Sequence, residues 1–285
     1  MIELAENRYG KSRVRLMKVT RHPHGNELRE WTVQVLLKGD FHSAHAEGDN
    51  SKILATDTMK NTVYSIARNS TATSMEAYAM ELADFLLGRN PQVSSAAIRI
   101  ESAMWKRMTV DGKPHPTTFM HGSGETETTH VERAQAGTFR ILSGLDNLVI
   151  LKTANSGFEG YIKESLTTLK ETSDRIFGTA VRAEWHYTKT NIDFDAVRTS
   201  VRETMLGIFA DHDSKSVQQT LYAMAKSALE AVPEIDEMEL AMPNKHCLLV
   251  DLSRFGQDNP NEIFVPTDEP HGYIEARVRR TPDAE

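Results

Sequence analysis

One cysteine, Cys247, in 285 residues leaves no intramolecular disulfide to hold a fold together. No run approaches the roughly 20 consecutive apolar residues that a membrane-crossing helix needs. The opening stretch MIELAENRYGKSRVR has no apolar core flanked by a cleavage site, so secretion has no support. Positive charge is also scarce: 33 Lys and Arg against 40 Asp and Glu give a net charge of −7. That balance argues against a nucleic-acid footprint, which shows as clustered Lys and Arg. A small anion stays within reach of one well-placed Arg, because a guanidinium makes paired hydrogen bonds to planar acceptors whatever the global charge. What remains is an ordinary globular composition, 39% hydrophobic and 26% charged, in a chain long enough for two domains. The expectation is a soluble, cytoplasmic protein with no nucleic-acid or membrane partner.

Residues 12–20 and 28–38 alternate or run apolar like paired strands around the turn-like RHPHGNE, which predicts a hairpin. Thr56 to about Arg68 and Ser74 to about Gly88 carry apolar residues at helical spacing, and Ala96 to Met108 returns to a strand pattern. The second half repeats this order. Phe194 to about Asp211 and Val217 to about Val232 read as helices, and Glu237 to Leu252 as strands. Aligning Tyr78-Ala79-Met80 with Tyr222-Ala223-Met224 gives an offset of 144. We therefore read the chain as two copies of one α+β unit, residues 1–140 and 141–285, each an antiparallel sheet with helices on one face. Between them, HGSGETETTHVERAQAG at 121–137 reads as an exposed, peripheral loop or outward hairpin, and Gly157 to about Phe177 as a long helix. The edge strands of such sheets need cover, and closing several subunits into a ring would supply it.

The stretch Met242-Pro243-Asn244-Lys245-His246-Cys247 holds the densest chemistry. Alternation along a strand sends Asn244 and His246 to one face and Lys245 and Cys247 to the other. His246 is then a candidate proton shuttle, because its ordinary pKa lies near neutrality; the bland alternative is a strand end facing water. Cys247, on the opposite face, reads as a small buried hydrophobe. Eleven His residues raise the question of a metal, but pairs such as His22 with His24 and His42 with His45 lack ligand spacing, and RHPHG and GKPHP read as turns.

Seven segments, taken in order, say more: RYGK at 8–11, ATDTMKNT at 55–62, DGKPHPTTF at 111–119, LKTANSGFEGY at 151–161, TTLKETSDR at 167–175, SVQQTLY at 216–222 and PNKH at 243–246. Together they resemble the urate oxidase (uricase) family, over about residues 8–274. The resemblance implies the tunnelling fold, two tandem units per subunit, closed into a β-barrel tunnel by a homotetramer with active sites at subunit interfaces. It also implies oxidation of urate by O2 to 5-hydroxyisourate with release of hydrogen peroxide, without metal or organic cofactor.

Carried onto this chain, the resemblance assigns a proton relay to Lys11, Thr56 and His246. Urate must lose protons before it gives electrons to oxygen, and such a chain can accept and return them. Arg175 and Gln218 resemble the pair gripping the flat substrate from one edge, with the backbone N–H of Val217 beside them. Phe158 corresponds to the aromatic that stacks on the ring. Asn244 matches the amide holding oxygen or a water above it, and Asp57 contacts the ligand through its backbone. Thr56 and Asp57 are expected to approach the pocket from a neighbouring subunit.

Without the family these residues read blandly. Lys11 is a solvated strand residue, Thr56-Asp57 a helix N-cap, Gln218 an exposed helical residue, Arg175 a helix C-terminal cation and Phe158 core. Leu169 and Ile274 resemble apolar residues near the pocket and read as core packing. Ala154, Glu159 and Leu166 depart from the family's pattern without removing a catalytic group. The C-terminal RRTPDAE lacks a peroxisomal Ser-Lys-Leu. Two other readings stay open, a metal-dependent pterin- or purine-transforming enzyme of the same fold, and a non-catalytic purine-binding oligomer.

Overall fold

The structure, a computed structural model, describes residues 2–281, so part of the RRTPDAE tail lies outside the described residues. The chain divides into two compact units, Met1–Gly144 with His186–Asp195, and Leu145–Trp185 with Ala196–Glu285. Its elements are β1 (Tyr9–Thr20), β2 (Glu27–Gly39), α1 (His42–Ala46), α2 (Thr56–Asn69), α3 (Met75–Arg89), β3 (Val93–Val110) and β4 (Lys113–Ala134). They continue with β5 (Phe139–Lys152), β6 (Phe177–Tyr187), α4 (Phe194–Asp211), α5 (Val217–Ala231), β7 (Ile235–Leu249), a 3-10 turn at Ser253–Phe255 and β8 (Phe264–Arg279). Strand order follows chain order, and β1–β2, β2–β3, β3–β4 and β7–β8 pair antiparallel. The class is α+β.

In the first unit, Trp31, Val33, Val35 and Leu37 alternate along β2 and are buried, as are Ala96, Ile98 and Ile100 along β3. Period-two burial is what a strand with one covered face produces. The cover comes from α2, through Met59, Val63 and Ala67, and from α3, through Tyr78, Leu82 and Leu86, at the four-residue spacing of a helix stripe. The Tyr78 hydroxyl donates to Val63 O at 2.8 Å and ties α3 to α2. In the second unit, Met238, Leu240 and Met242 of β7 and Leu221, Met224 and Ala228 of α5 are buried in the same manner.

The repeat has a different register from the one the Tyr-Ala-Met match suggests. α2 and α4 end at Asn69 and Asp211, α3 and α5 are capped by Ser74 and Ser216, and β3 and β7 begin at Val93 and Ile235, an offset of 142 throughout. Each cap hydroxyl accepts a backbone N–H, from Ala77 and from Gln219, both at 3.1 Å. Tyr78 is 1% exposed and Tyr222 54%, so the two tyrosines sit on different helix faces and their match is coincidental.

Two expectations fail. Residues 121–137 are not a peripheral loop: most belong to β4, paired with β3 from Ser95↔Ala134 to Val110↔Lys113. Glu125, Thr128, Thr129 and Val131 are buried, and the Thr129 hydroxyl donates to Leu142 O at 2.9 Å. Thr-rich sequence fits a pleated surface, and its polarity is met by hydrogen bonds. Nor is 157–177 a helix. The stretch from 153 to 176 is irregular, held by bridges Ser156↔Ser214 and Phe158↔Thr172. Asn155 and Gly160 adopt left-handed φ of 59° and 71°, which helix formation cannot accommodate. The apolar residues that mimic helical spacing, Ile162, Leu166 and Leu169, are exposed, so Leu169 is not core and Arg175 ends no helix.

Candidate active site

The first unit presents Lys11, Thr56 and Asp57. β1 carries one extra residue after Lys11: Lys11 pairs with Val35 and Val14 with Val33, three steps against two. Arg13 takes φ 58° within this bulge. In a regular strand residues three apart face opposite ways. The bulge instead puts Lys11 and Val14 on the side of their partners Val35 and Val33, facing the helices, an aiming role such bulges commonly serve. Gly10 makes the close approach possible, since a Cβ there would sit 1.8 Å from Val35 O.

Tyr9 joins this strand to the segment leading into α2. Its hydroxyl donates to Leu54 O at 3.1 Å and accepts from Leu54 N–H at 2.8 Å, and its ring meets Phe41 edge-on at 4.8 Å. Burial pushes the phenol pKa up, keeping it a donor. Two residues beyond Leu54, Thr56 opens α2, but the N-cap is Ala55, with no side-chain cap bond. The N-cap expectation is corrected, because the Asp57 carboxylate turns along the helix to accept from Lys60 Nζ at 2.5 Å and Asn61 Nδ2 at 3.0 Å. The Lys60 bond chiefly, with Lys11 a minor contributor, holds the Asp57 carboxyl below its usual range. Among the described residues, no protein group hydrogen-bonds the Thr56 hydroxyl or Lys11 Nζ.

The second unit carries the other six residues. Phe158 is fixed by reciprocal backbone bonds with Thr172, N–H to O at 2.8 and 3.2 Å. Arg175 places its guanidinium carbon 5.3 Å from the Phe158 ring centre, and Tyr161 stacks on that ring at 4.9 Å with an 11° tilt. Burial pushes the Arg175 pKa down without discharging it. Val217 and Gln218 are the first two residues of α5, where free N–H groups favour an anion. Asn244 and His246 continue the parity of Met238, Leu240 and Met242 along β7. The irregularity between their pairs, Asn244↔Gly272 and His246↔Thr267, is in β8, which loops out Asp268–His271. Lys245 pairs with Asp268 at 2.9 Å. Ile274 is half-buried opposite Met242.

Thus the structure brings Phe158 to Arg175 and ties their strips to the start of α5, and it places Lys11 and Thr56 in one unit on segments joined by Tyr9. Sequence reasoning missed Tyr9 and the buried Ser214–Thr220 pair below α5; the only signal was that both lie inside quoted motifs or next to them. No group of three or more His, Cys, Asp or Glu among the described residues is placed to hold a metal ion. Among the described residues no helix is long and apolar enough to cross a membrane.

The fold defines an α+β protein of repeated ββααββ order. The family model for uricase matches residues 7–132 and 141–275. The uricase of Arthrobacter globiformis is 41% identical over 279 residues, 98% of this chain and 90% of the relative. That of Oryctolagus cuniculus is 36% identical over 285 residues, 98% and 95% of the two chains. A crystal structure of the Arthrobacter globiformis enzyme superposes with a TM-score of 0.94, covering 100% of this chain and 97% of the other at 39% identity. The chain belongs to the uricase family, the urate oxidases.

Proposed function

We propose that the protein oxidises urate: urate, O2 and water give 5-hydroxyisourate and hydrogen peroxide, with no metal or organic cofactor. Two electrons leave the purine for oxygen, and water supplies the oxygen atom added at the ring. The observation that carries this reading is the joint placement of a stacking ring, a half-buried guanidinium and a helix N-terminus in one unit: Phe158, Arg175, and Val217 with Gln218. A flat anion bearing carbonyls and ring nitrogens matches that set. Arg175 forks onto one edge, Gln218 offers a donor and an acceptor, Val217 N–H adds a contact, and Phe158 covers the ring.

Lys11, Thr56 and His246 then move protons. Lys11 withdraws one through the Thr56 hydroxyl, which can donate and accept at once, and His246 exchanges the other with solvent or peroxide. Asn244 holds oxygen, later water, above the ring. Asp57 acts through its backbone, since its carboxylate is engaged with Lys60 and Asn61. The two-unit subunit works as a homotetramer with Thr56 and Asp57 reaching the pocket from a neighbouring subunit.

The test follows near-ultraviolet loss of urate in air by purified, chelator-treated protein, with peroxide assayed in parallel and mass measured by light scattering. Urate loss matched by peroxide from a tetramer is expected. Binding without turnover would instead leave a purine-binding module, and turnover only on adding zinc would leave a metal-dependent enzyme.

A further inference from the structure

Below the start of α5 lies a pair of hydroxyls that the proposed chemistry does not use. Ser214 and Thr220 are both fully buried. Thr220 Oγ1 lies 2.7 Å from Ser214 Oγ, and Ser214 Oγ donates to Ser216 O at 3.1 Å. A hydroxyl has one proton to give. Thr220 Oγ1 also lies 3.3 Å from Ser216 O, so the two hydroxyls share that carbonyl. The other neighbour of Thr220 is His212 Nδ1 at 3.2 Å. The contacts therefore run unbroken from His212 Nδ1 through Thr220 and Ser214 to the Ser216 carbonyl.

Its far end is fixed too. Lys152 Nζ donates to the His212 carbonyl and stands 5.7 Å from the Phe209 ring centre. Burial first, and the Lys152 charge second, push the His212 pKa down, which favours the neutral ring.

The near end serves both halves of the candidate site. Ser214 N–H donates to Asn155 O at 3.0 Å, and Ser214 O accepts from Gly157 N–H at 2.8 Å, one residue before Phe158. A Cβ at Gly157 would lie 2.9 Å from Ser173 O and 3.1 Å from Thr172 O, so the Phe158 strip is pressed against the strip that leads to Arg175. Asp174 closes the same junction by accepting Ser156 N–H at 3.2 Å. On the other side, Ser216 caps the helix that begins with Val217 and Gln218. At the matching position of the first unit, 142 residues earlier, Tyr78 reaches Val63 instead.

We propose that Thr220 is a positioning residue for substrate recognition: through Ser214, backed by His212 and Lys152, it sets Phe158 and Arg175 against Val217 and Gln218 so that all four meet one flat anion. This rests on the urate reading above; Thr220 itself touches no substrate.

Thr220→Val keeps the side chain's size but leaves Ser214 Oγ and His212 Nδ1 without the hydroxyl they both contact. The expected result is a rise of about tenfold in KM for urate with kcat changed less than about twofold, the signature of lost ground-state binding. Urate affinity measured calorimetrically without oxygen falls by the same factor, and Thr220→Ser restores both. KM does not depend on how much protein is folded, so a merely structural defect would lower yield and thermal midpoint without moving it. Should Thr220→Val not fold, Lys152→Met is read the same way, with a smaller rise of about threefold. Wild-type KM and oxygen-free affinity in the variant that folds, or a fall in kcat alone, would overturn the assignment while leaving the urate chemistry standing. Wild-type protein that neither binds nor oxidises urate would overturn that chemistry and this inference with it.

Discussion

Gly10→Ala puts the seating of Lys11 to a direct test. A Cβ built on Gly10 falls 1.8 Å from Val35 O, 2.8 Å from Val35 C and 2.9 Å from Leu36 Cα, all backbone atoms of β2 that cannot rotate away. Real Cβ contacts essentially never fall below 3.0 Å, so β1 and β2 must part by 3.0 − 1.8, or 1.2 Å, at this point. A ladder bond of about 2.9 Å stretched by that much leaves hydrogen-bonding range. The pairs Tyr9↔Leu37, Gly10↔Leu36 and Lys11↔Val35 are at stake. Two or three ladder bonds at about 1 kcal/mol each amount to about 2–3 kcal/mol if the strand end stays docked, and less if it frays.

The larger consequence is catalytic. A displacement of about 1 Å in a reacting group can cost about 100-fold in rate. Gly10→Ala should lower kcat by about that factor and leave KM for urate within about threefold, because the gripping residues are in the other unit. Gly207→Ala is the control: no atom lies within 4 Å of its Cβ, and it sits inside α4, where alanine should add about 0.5–1 kcal/mol of stability. Steady-state urate kinetics and urea unfolding on the three proteins decide the matter. A Gly10→Ala enzyme with kcat within about threefold of wild type would refute the claim that this close approach seats Lys11.

Tyr9→Phe removes the hydroxyl that satisfies both Leu54 backbone groups; unfolding free energy should drop by about 1–3 kcal/mol and kcat by about tenfold with KM little changed, and unchanged kcat in a folded variant would separate Tyr9 from Thr56. Lys11→Met and Thr56→Ala should lower turnover by about 100-fold or more, and Arg175→Ala should chiefly raise KM; full turnover by Lys11→Met in steady-state assays ends the relay assignment. His212 has a folded pKa below its ordinary value, through burial and Lys152, with Asp213 opposing. Its neutral form therefore stabilises the fold above about pH 6.5, and that contribution is lost as pH falls through the lower folded value. The thermal midpoint should fall more steeply on acidification in wild type than in His212→Gln, and equal slopes by calorimetry would contradict this.

Periodicity located what packs against a broad apolar face. The ends of α4 at Phe194 and Asp211 and the start of α5 at Val217 were legible from their apolar stripes, and Ser216 caps α5. Where a segment meets little core, pattern misled. Phe158, Tyr161, Ile162, Leu166 and Leu169 imitate helical spacing, yet Asn155, Gly157 and Gly160 impose conformations and close contacts that no hydrophobic count registers. β4 hid for the opposite reason, since its polar residues are satisfied by hydrogen bonds rather than excluded from the interior. The proposed site residues are legible only by resemblance. In isolation Lys11, Gln218 and Asn244 are ordinary strand and helix polars, and only the bulge beside Lys11 and the strand parity of Asn244 set two of them apart.

That parity gives the two units a common logic. In each, a strand buries one face under helices and then continues past them with polar residues on the same face. Along β7 the order is Met238, Leu240, Met242, then Asn244 and His246. Along β1, read backwards, it is Leu16, Val14, then Lys11, brought onto that face by the bulge at Arg13. A polar head in such a place is held by a stem that packing orients, while its tip lies beyond the apolar cover and keeps its hydrogen-bonding capacity. This is why the groups proposed to move protons need no dedicated scaffold: the core that stabilises each unit also aims them. The consequence is that substitutions of buried neighbours such as Val35 or Met242 should disturb turnover through aim before they disturb folding, in proportion to the volume they remove.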